Sequence, residues 1–534
     1  MKELPSSADT SLLPLGVPSF DAIRMRNRVY VDKTDLIVRM VQLSDYLFLA
    51  RPRRFGKSVL LSTLETLFRE GAGAFRGLKA EGLWSDKTYP VVKLDLSLAK
   101  NCRTEADFRL TFDELLYEGI KAAGYSEQSE TRMDPITRWR RFLAARTSSE
   151  FVLLIDEYDA PLTAHLHEPD LFENIRNVLS SFFDATKGFS GNLRFLFVTG
   201  IMKFKQASLF STFNNITDIS LIPDFGTLVG ITEKELLDYF MPFIESAAKQ
   251  LNLTVEETVS RLRCEYDGFC FDEEASTHVY APWSVLSFLT FPNRGFRHYW
   301  FESAGTPAIL VNYLRAHNLL DPADFDADQD IPLADLSSAE HIDALDERVL
   351  LAHAGYLSIK KINNGVAVLN YPNNEVRDAM AQLYSTAFWP NYRSRGSLAK
   401  GFLRAITEHN PEMLLEMLNQ IVHRLDYQNF LLSSEAAVRQ LVQIFCFGAN
   451  IDNEIERHSP FGRSDIEFSH ANKDIVIEFK FTKKTGNLNL LIQKAESQIL
   501  EKRYGFKRKG RELIQIVLIF SGDERRFSAA KFLS

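Results

Sequence analysis

The sequence predicts an α/β protein: a parallel-sheet core, then helical and winged-helix-like modules, then a second, C-terminal α/β domain. Three observations carry this. Short apolar runs alternate with helical patterns over the first two hundred residues, as in a parallel sheet covered on both faces. One run leads through a loop ending Gly56-Lys57-Ser58 into a helix, and another ends in Asp156-Glu157. Near the C-terminus an Asp-bearing strand is followed by a strand reading Glu478-Phe479-Lys480.

Tyr46-Leu47-Phe48-Leu49-Ala50 reads as a buried strand, and Val59, Leu60, Leu61, Leu64 and Leu67 recur at helical spacing. Between them lies Arg51-Pro52-Arg53-Arg54-Phe55-Gly56-Lys57-Ser58. Strand, tight loop and helix are the context of a phosphate-binding P-loop. The backbone N–H groups of the loop, through Arg54, Phe55 and Gly56 into the helix, would face a β-phosphate. Lys57 would reach the β- and γ-phosphates, and the Ser58 hydroxyl would ligate Mg²⁺. The usual first glycine is replaced by Arg51, so an ordinary strand–turn–helix is the alternative.

Pro90 to Leu96 is the next strand candidate, and Phe108 to Ala123 reads helical. Phe151 to Ile155 is a buried strand ending in Asp156-Glu157. A carboxylate at the tip of a parallel strand lies where a doubly wound sheet meets its ligand. Asp156 is placed to hold Mg²⁺ with Ser58, and Glu157 to orient or deprotonate an attacking water. The strand Leu193 to Thr199 ends in a residue suited either to sensing the γ-phosphate or to a local hydrogen bond. Asn214 or Asn215 is an alternative sensor, or simply part of a turn.

From residue 230 amphipathic helices dominate, broken at Tyr266-Asp267-Gly268 and Ala281-Pro282-Trp283-Ser284. Residues 321–338, rich in Asp and Ala, read as a linker. A helix ending at Gly355 and an Asn364-Gly365 turn between apolar runs predict a helix followed by a hairpin wing.

Asp465-Ile466-Glu467-Phe468 and Ile475 to Lys480 read as the two arms of a hairpin. Residues i and i+2 of a strand share a face, so Glu478 and Lys480 project together and Asp465 can meet them. Asp465 and Glu478 could hold Mg²⁺ or Mn²⁺ through oxygen, with Lys480 beside the attacking water. The preceding helix offers Glu435 as an additional acid. A charged sheet edge is the ordinary alternative. Lys502 to Arg511 interleaves six cations with two aromatics, suited to phosphates and bases or to a solvated turn.

A chain of 534 residues predicts three or four units at about 100–200 residues each. Net charge −8 argues against bulk attraction to nucleic acid but permits a local basic patch. Four scattered cysteines fit reduced thiols better than a disulfide framework. No apolar run reaches the roughly 18 residues of a membrane span, and the N-terminus lacks the apolar core of a signal peptide. A cytoplasmic protein without a membrane partner is expected.

The chain resembles the prokaryotic AAA-ATPase-like proteins fused to a C-terminal PD-(D/E)XK nuclease-superfamily domain. The resemblance rests on Tyr30-Val31-Asp32-Lys33-Thr34, the arginine-rich loop through Ser58, Leu154 to Asp159, Phe213-Asn214-Asn215, Tyr266-Asp267-Gly268, Ala281-Pro282-Trp283-Ser284, Asp465 and Glu478-Phe479-Lys480. It covers nearly the whole chain. It implies a P-loop NTPase core with ATP and Mg²⁺, a restriction-endonuclease-like fold at the end, and the arginine-rich loop as a family trait. The expected division is an AAA-ATPase-like core at 1–228, a helical lid or adaptor at 229–320, the linker at 321–338, a winged-helix-like module at 339–395, and a helical connection with the nuclease-like domain at 396–534. The leading expectation is an ATPase coupled to a metal-dependent nuclease acting on DNA. The alternatives are an ATP-driven signalling switch with an inactive binding module at its end, and a scaffold with a degenerate loop. Oligomeric state is not legible.

Overall fold

A computed structural model describes residues 9–126, 132–166, 168–203, 216–300, 327–336, 346–389, 395–425 and 432–449. Beyond these it describes 451, 453–454, 458–459, 462–463, 465–483, 488–501 and 511–533. The chain divides into two compact units, Met1–Ile309 with Asp328–Val376, and Leu310–Ala327 with Arg377–Ser534.

The first unit is built on five strands: β1 (Tyr46–Ala50), β2 (Val91–Asp95), β3 (Phe151–Asp156), β4 (Leu193–Gly200) and β5 (Thr217–Asp218). Their order is β2-β3-β4-β1-β5 and every pairing is parallel. All six residues of β3 are buried, which is why its sequence is an unbroken apolar run. Helices α1 (Phe20–Met25) and α2 (Thr34–Leu43) precede the first strand, and the crossovers run through α3 (Lys57–Glu70), α4 (Glu105–Ala122), α5 (Pro135–Ala144), α6 (Ala160–Thr163) and α7 (Pro169–Gly188). Thr104 caps α4 by accepting from the Asp107 N–H, and Asp134 caps α5 by accepting from Thr137. Trp139 of α5 is fully buried and donates its indole N–H to Thr186 of α7.

Three further helices follow: α8 (Glu233–Leu251), α9 (Val255–Tyr266) and α10 (Pro282–Thr290). Capping boxes at Thr232/Glu235 and Thr254/Glu257 fix the starts of α8 and α9. Lys33 joins this part to the core: its ammonium donates to both Glu235 oxygens at 2.8 Å and to the Thr227 carbonyl at 2.7 Å.

The segment expected as a linker is not one throughout. Residues 329–332 form β6 (Gln329–Pro332), followed by the short helix α11 (Leu333–Leu336). β6 pairs with β8 (Val366–Asn370), itself paired with β7 (Ser358–Asn363), to give the order β6-β8-β7. Ile331, fully buried, opposes Ala367, and Pro332 is tolerated because β6 lies at the sheet edge. The helix before this hairpin, α12 (Glu347–Ala354), ends at Gly355 in the left-handed conformation. The β7–β8 turn has Asn364 at φ 49° and Gly365 at φ 79°, the two positive values that a two-residue hairpin loop needs. Residues 328–376 belong to the first compact unit, so the expected winged module is cut within its span.

Helix α13 (Asn374–Phe388) begins in the first unit; α14 (Arg395–Thr407), α15 (Pro411–His423) and α16 (Glu435–Gly448) belong to the second. Short strands β9 (Asn453–Glu454), β10 (His458–Ser459) and β11 (Gly462–Arg463) precede β12 (Ile466–His470) and β13 (Lys473–Thr482). Helix α17 (Leu488–Glu501) then leads to β14 (Glu512–Ser521) and β15 (Arg526–Leu533). The sheet order is β15-β14-β13-β12-β9, with β13 and β14 parallel and the other pairs antiparallel. A parallel pair needs a crossover, and α17 supplies it. Ala495 and Ile499 of α17 pack on Val476, Val517 and Ile519.

None of the four cysteines forms a disulfide. Among the described residues, no helix is long and apolar enough to cross a membrane.

Candidate functional site

The strand order decides what meets in the first unit. β4 lies between β1 and β3, so the loop after β1 and the tip of β3 flank one strand end. The Ser58 hydroxyl donates to Asp156 Oδ2 at 2.8 Å. The other Asp156 oxygen accepts from the Thr199 hydroxyl at 2.7 Å and from the Glu157 N–H at 3.0 Å. Thr199 is fully buried, and its hydroxyl is spent on Asp156 in this arrangement.

Gly56, at φ 95°, caps α3 in the left-handed region, a conformation glycine adopts without a side-chain penalty. Lys57 is buried, and its ammonium donates to the Arg51 and Pro52 carbonyls, both at 2.9 Å. Burial pulls its pKa below the usual lysine value, and the charges of Glu157, Asp156 and Asp159 oppose that pull without cancelling it. Arg54, Gly56, Lys57, Ser58 and Glu157 line a cavity of about 600 Å³. Its other walls are largely apolar, among them Val17, Val31, Val59, Leu286 and the Trp283 ring. Phe55 shares the cavity lining but its ring packs on Phe269 and Phe271, at 4.7 and 5.1 Å between centroids.

Arg51 is not a surface cation. It is 1% exposed and donates to the carbonyls of Ala50, Ser220 and Phe225. Burial pulls its guanidinium down to about 9. Asp159 is also buried; it accepts the N–H groups of Ile201 and Met202 beyond β4, and burial raises its carboxyl to about 6.

In the second unit the β12–β13 register pairs Ile466 with Ile477, which sets Asp465 opposite Glu478. Asp465 Oδ2 accepts the Phe479 N–H at 2.9 Å. Lys480 donates to Glu478 Oε1 at 2.8 Å and to the Phe479 carbonyl at 2.9 Å. Glu435, at the start of α16, lies 3.5 Å from the Lys480 ammonium and accepts the Phe481 N–H at 3.3 Å. The residues expected to converge here, Asp465, Glu478, Lys480 and Glu435, do so. One turn along α16, Arg439 donates to Asp465 Oδ1 at 3.3 Å. Sequence reading passed over Arg439, although its i+4 spacing from Glu435 puts both on one helix face.

Glu478 is 1% exposed and its Oε2 is buried without a hydrogen-bond partner. Burial first, then the Asp465 charge, push its carboxyl up to about 7 against the pull of Lys480. For Lys480, desolvation is outweighed by Glu478, Glu435 and Asp465, and its pKa rises above the usual value. An orphaned buried carboxylate oxygen beside a second carboxylate is a donor set suited to a hard divalent cation. Among the described residues no group of three or more His, Cys, Asp or Glu side chains is placed to hold a metal, so such an ion needs backbone or water oxygens as well.

Of the basic run, residues 502–510 lie outside the described residues, as do Phe213, Asn214 and Asn215. Arg511 donates to Asp474 Oδ1 and the Lys473 carbonyl, so this cation fastens the start of β13.

A five-stranded parallel sheet with a strand–loop–helix ending Gly56-Lys57-Ser58, and a mixed sheet carrying Asp465 and Glu-x-Lys, define a two-part protein of the P-loop and nuclease-fold classes. Residues 14–210 match the family model described as predicted AAA-ATPase, and residues 433–529 match that of the PD-(D/E)XK nuclease superfamily. The chain is thus similar to AAA-ATPase-like domains in its first part and to the PD-(D/E)XK nuclease superfamily in its last. It is similar to an "uncharacterized protein in vnfD 5'region" of Azotobacter chroococcum mcd 1, with 28% identity over 526 residues, covering 96% of this chain and 97% of that protein.

Proposed function

We propose that the first unit binds and hydrolyses ATP and that the second acts on a DNA phosphodiester with a divalent metal. The observation that carries the first half is the Ser58–Asp156 contact at 2.8 Å beside the buried Lys57. Lys57 exchanges its two carbonyl partners for β- and γ-phosphate oxygens. Ser58 and Asp156 would hold Mg²⁺, which supplies charge neutralisation at the phosphates. Glu157, on the cavity wall, orients the attacking water. The apolar walls are suited to the base.

At the second site Asp465 and Glu478 would hold Mg²⁺ or Mn²⁺, and such an ion polarises a phosphodiester and its attacking water. Lys480, which contacts Glu478 and Glu435, is placed to orient that water or to steady developing charge. The orphaned Glu478 Oε2 supports this reading.

A second reading draws on a different observation: Arg439 and Lys480 already engage the two carboxylates. In that reading the terminal domain binds nucleic acid or protein without cleaving, and ATP turnover drives a switch. One experiment separates them. Wild type and Lys480→Ala are incubated with duplex and single-stranded DNA and RNA in Mg²⁺ or Mn²⁺, with and without ATP. Cleavage by wild type alone supports the nuclease; no cleavage of any form sinks it and favours the switch. Titration of Lys57→Ala with ATP tests the first half, and undiminished affinity overturns it.

A further inference from the structure

The phosphate loop is held from outside. Each of its residues from Arg51 to Phe55 has a partner between residues 220 and 355. The Arg51 guanidinium lies 4.5 Å from the Phe271 ring centroid and donates to the carbonyls of Ser220 and Phe225. Pro52 abuts Gly355 so closely that a Cβ built there would fall 2.8 Å from the Pro52 Cβ. The Arg53 carbonyl accepts the Trp300 indole N–H at 3.4 Å. The Arg54 guanidinium sits 4.0 Å from the Trp283 ring centroid, and Phe55 packs on Phe269 and Phe271.

A glycine-rich loop takes a phosphate-cradling shape because glycine accepts positive φ freely. Here Arg54 stands at φ 71°, where an L-residue with a full side chain is strained. Trp283 faces the same cavity as Arg54, Gly56, Lys57 and Ser58, and its own N–H is tied to the Tyr299 carbonyl at 3.2 Å. The ring is therefore fixed while it holds the cation.

We propose that Trp283 is a positioning residue for the phosphate site: by stacking on Arg54 it holds the strained loop in the shape that receives a nucleoside triphosphate. The proposal rests on the nucleotide reading above. A cation–π contact of this kind supports an affinity change of about 2- to 30-fold.

The test titrates the full chain, by calorimetry, with Mg²⁺ and a non-hydrolysable ATP analogue. Trp283→Ala weakens binding by about 2- to 30-fold, and Trp283→Phe, which keeps an aromatic face, restores binding to within about 2-fold of wild type. In an Arg54→Gly background, where the backbone carries no strain and no cation remains to hold, Trp283→Ala has no further effect. A loss of affinity equal in both backgrounds would make Trp283 a packing residue only and overturn the proposal, as would wild-type affinity in Trp283→Ala. Lys57→Ala separates the two levels. If it binds the analogue as wild type does, the phosphate-site reading fails; if it abolishes binding while Trp283→Ala does not weaken it, only the positioning role fails.

Discussion

Glu478→Gln gives a pH-dependent signature that a surface carboxylate would not. In the folded chain Glu478 titrates at about 7, against 4.5 when unperturbed. Below the unfolded value both states hold the proton and the residue costs nothing. As pH rises from 4.5, the unfolded glutamate ionises while the folded one keeps its proton, so stability falls until the folded pKa is passed. At about 1.4 kcal/mol per pKa unit, the shift amounts to about 3 kcal/mol lost by pH 8. Glutamine carries no such linkage. The variant should match wild type, apart from a constant offset for the altered Lys480 contact, near pH 5, and exceed it increasingly toward pH 8. For a unit of this size that corresponds to a shift of about 6–12 °C in the unfolding midpoint. Calorimetric scans of the full chain in chelator from pH 5 to 8 measure it. Added Mn²⁺ should raise the wild-type midpoint most at high pH, where Glu478 is ionised, and leave the variant nearly unmoved. A gap between wild type and variant that stays constant across the pH range would refute the reasoning.

Glu157→Gln should retain ATP affinity while slowing steady-state phosphate release by about 10²–10⁴-fold; wild-type turnover would remove Glu157 as the residue that orients the water. Asp113→Ala removes the carboxylate that makes a two-point contact with the Arg138 guanidinium, with both side chains at most 3% exposed. Chemical denaturation should show a loss of about 3–5 kcal/mol, and replacing both residues with leucine should recover much of it. Gly200→Ala places a Cβ 2.6 Å from Asp159 Oδ1 and 2.7 Å from Tyr158 Cδ1. It should cost about 1–3 kcal/mol in the same assay, and an unchanged midpoint would mean that the end of β4 can shift.

The parallel core was legible because both its faces are covered. Phe151 to Ile155 shows an uninterrupted apolar run, and Lys57, Ser58 and Asp156 stand at the ends of such runs. The Asn364-Gly365 turn was legible for a local reason, its two positive φ values. The convergence of Asp465, Glu478 and Lys480 followed from strand alternation, which needs no tertiary knowledge. What sequence did not reveal depends on distant partners. β6 is a four-residue edge strand ending in Pro332, too short and too polar to show a period. Arg51 stands out in the sequence only as the residue in place of the first glycine, and its burial depends on partners as distant as the Ser220 and Phe225 carbonyls. That Thr199 bonds Asp156 depends on the pairing of β3 with β4, which no local pattern shows. Arg439 had no motif to mark it.

The outward grip on residues 51–55 bears on how the chain is divided. A fragment ending at Leu228 keeps all five core strands, and sequence patterning invites that cut. It discards Glu235, the acidic partner of Lys33, together with Phe269, Phe271, Trp283, Trp300 and Gly355. What is left is a sheet whose loop at 51–58 has lost its mould. A fragment meant to keep every one of these contacts therefore has to run to about Val376, the end of the first compact unit, some three hundred residues beyond the loop.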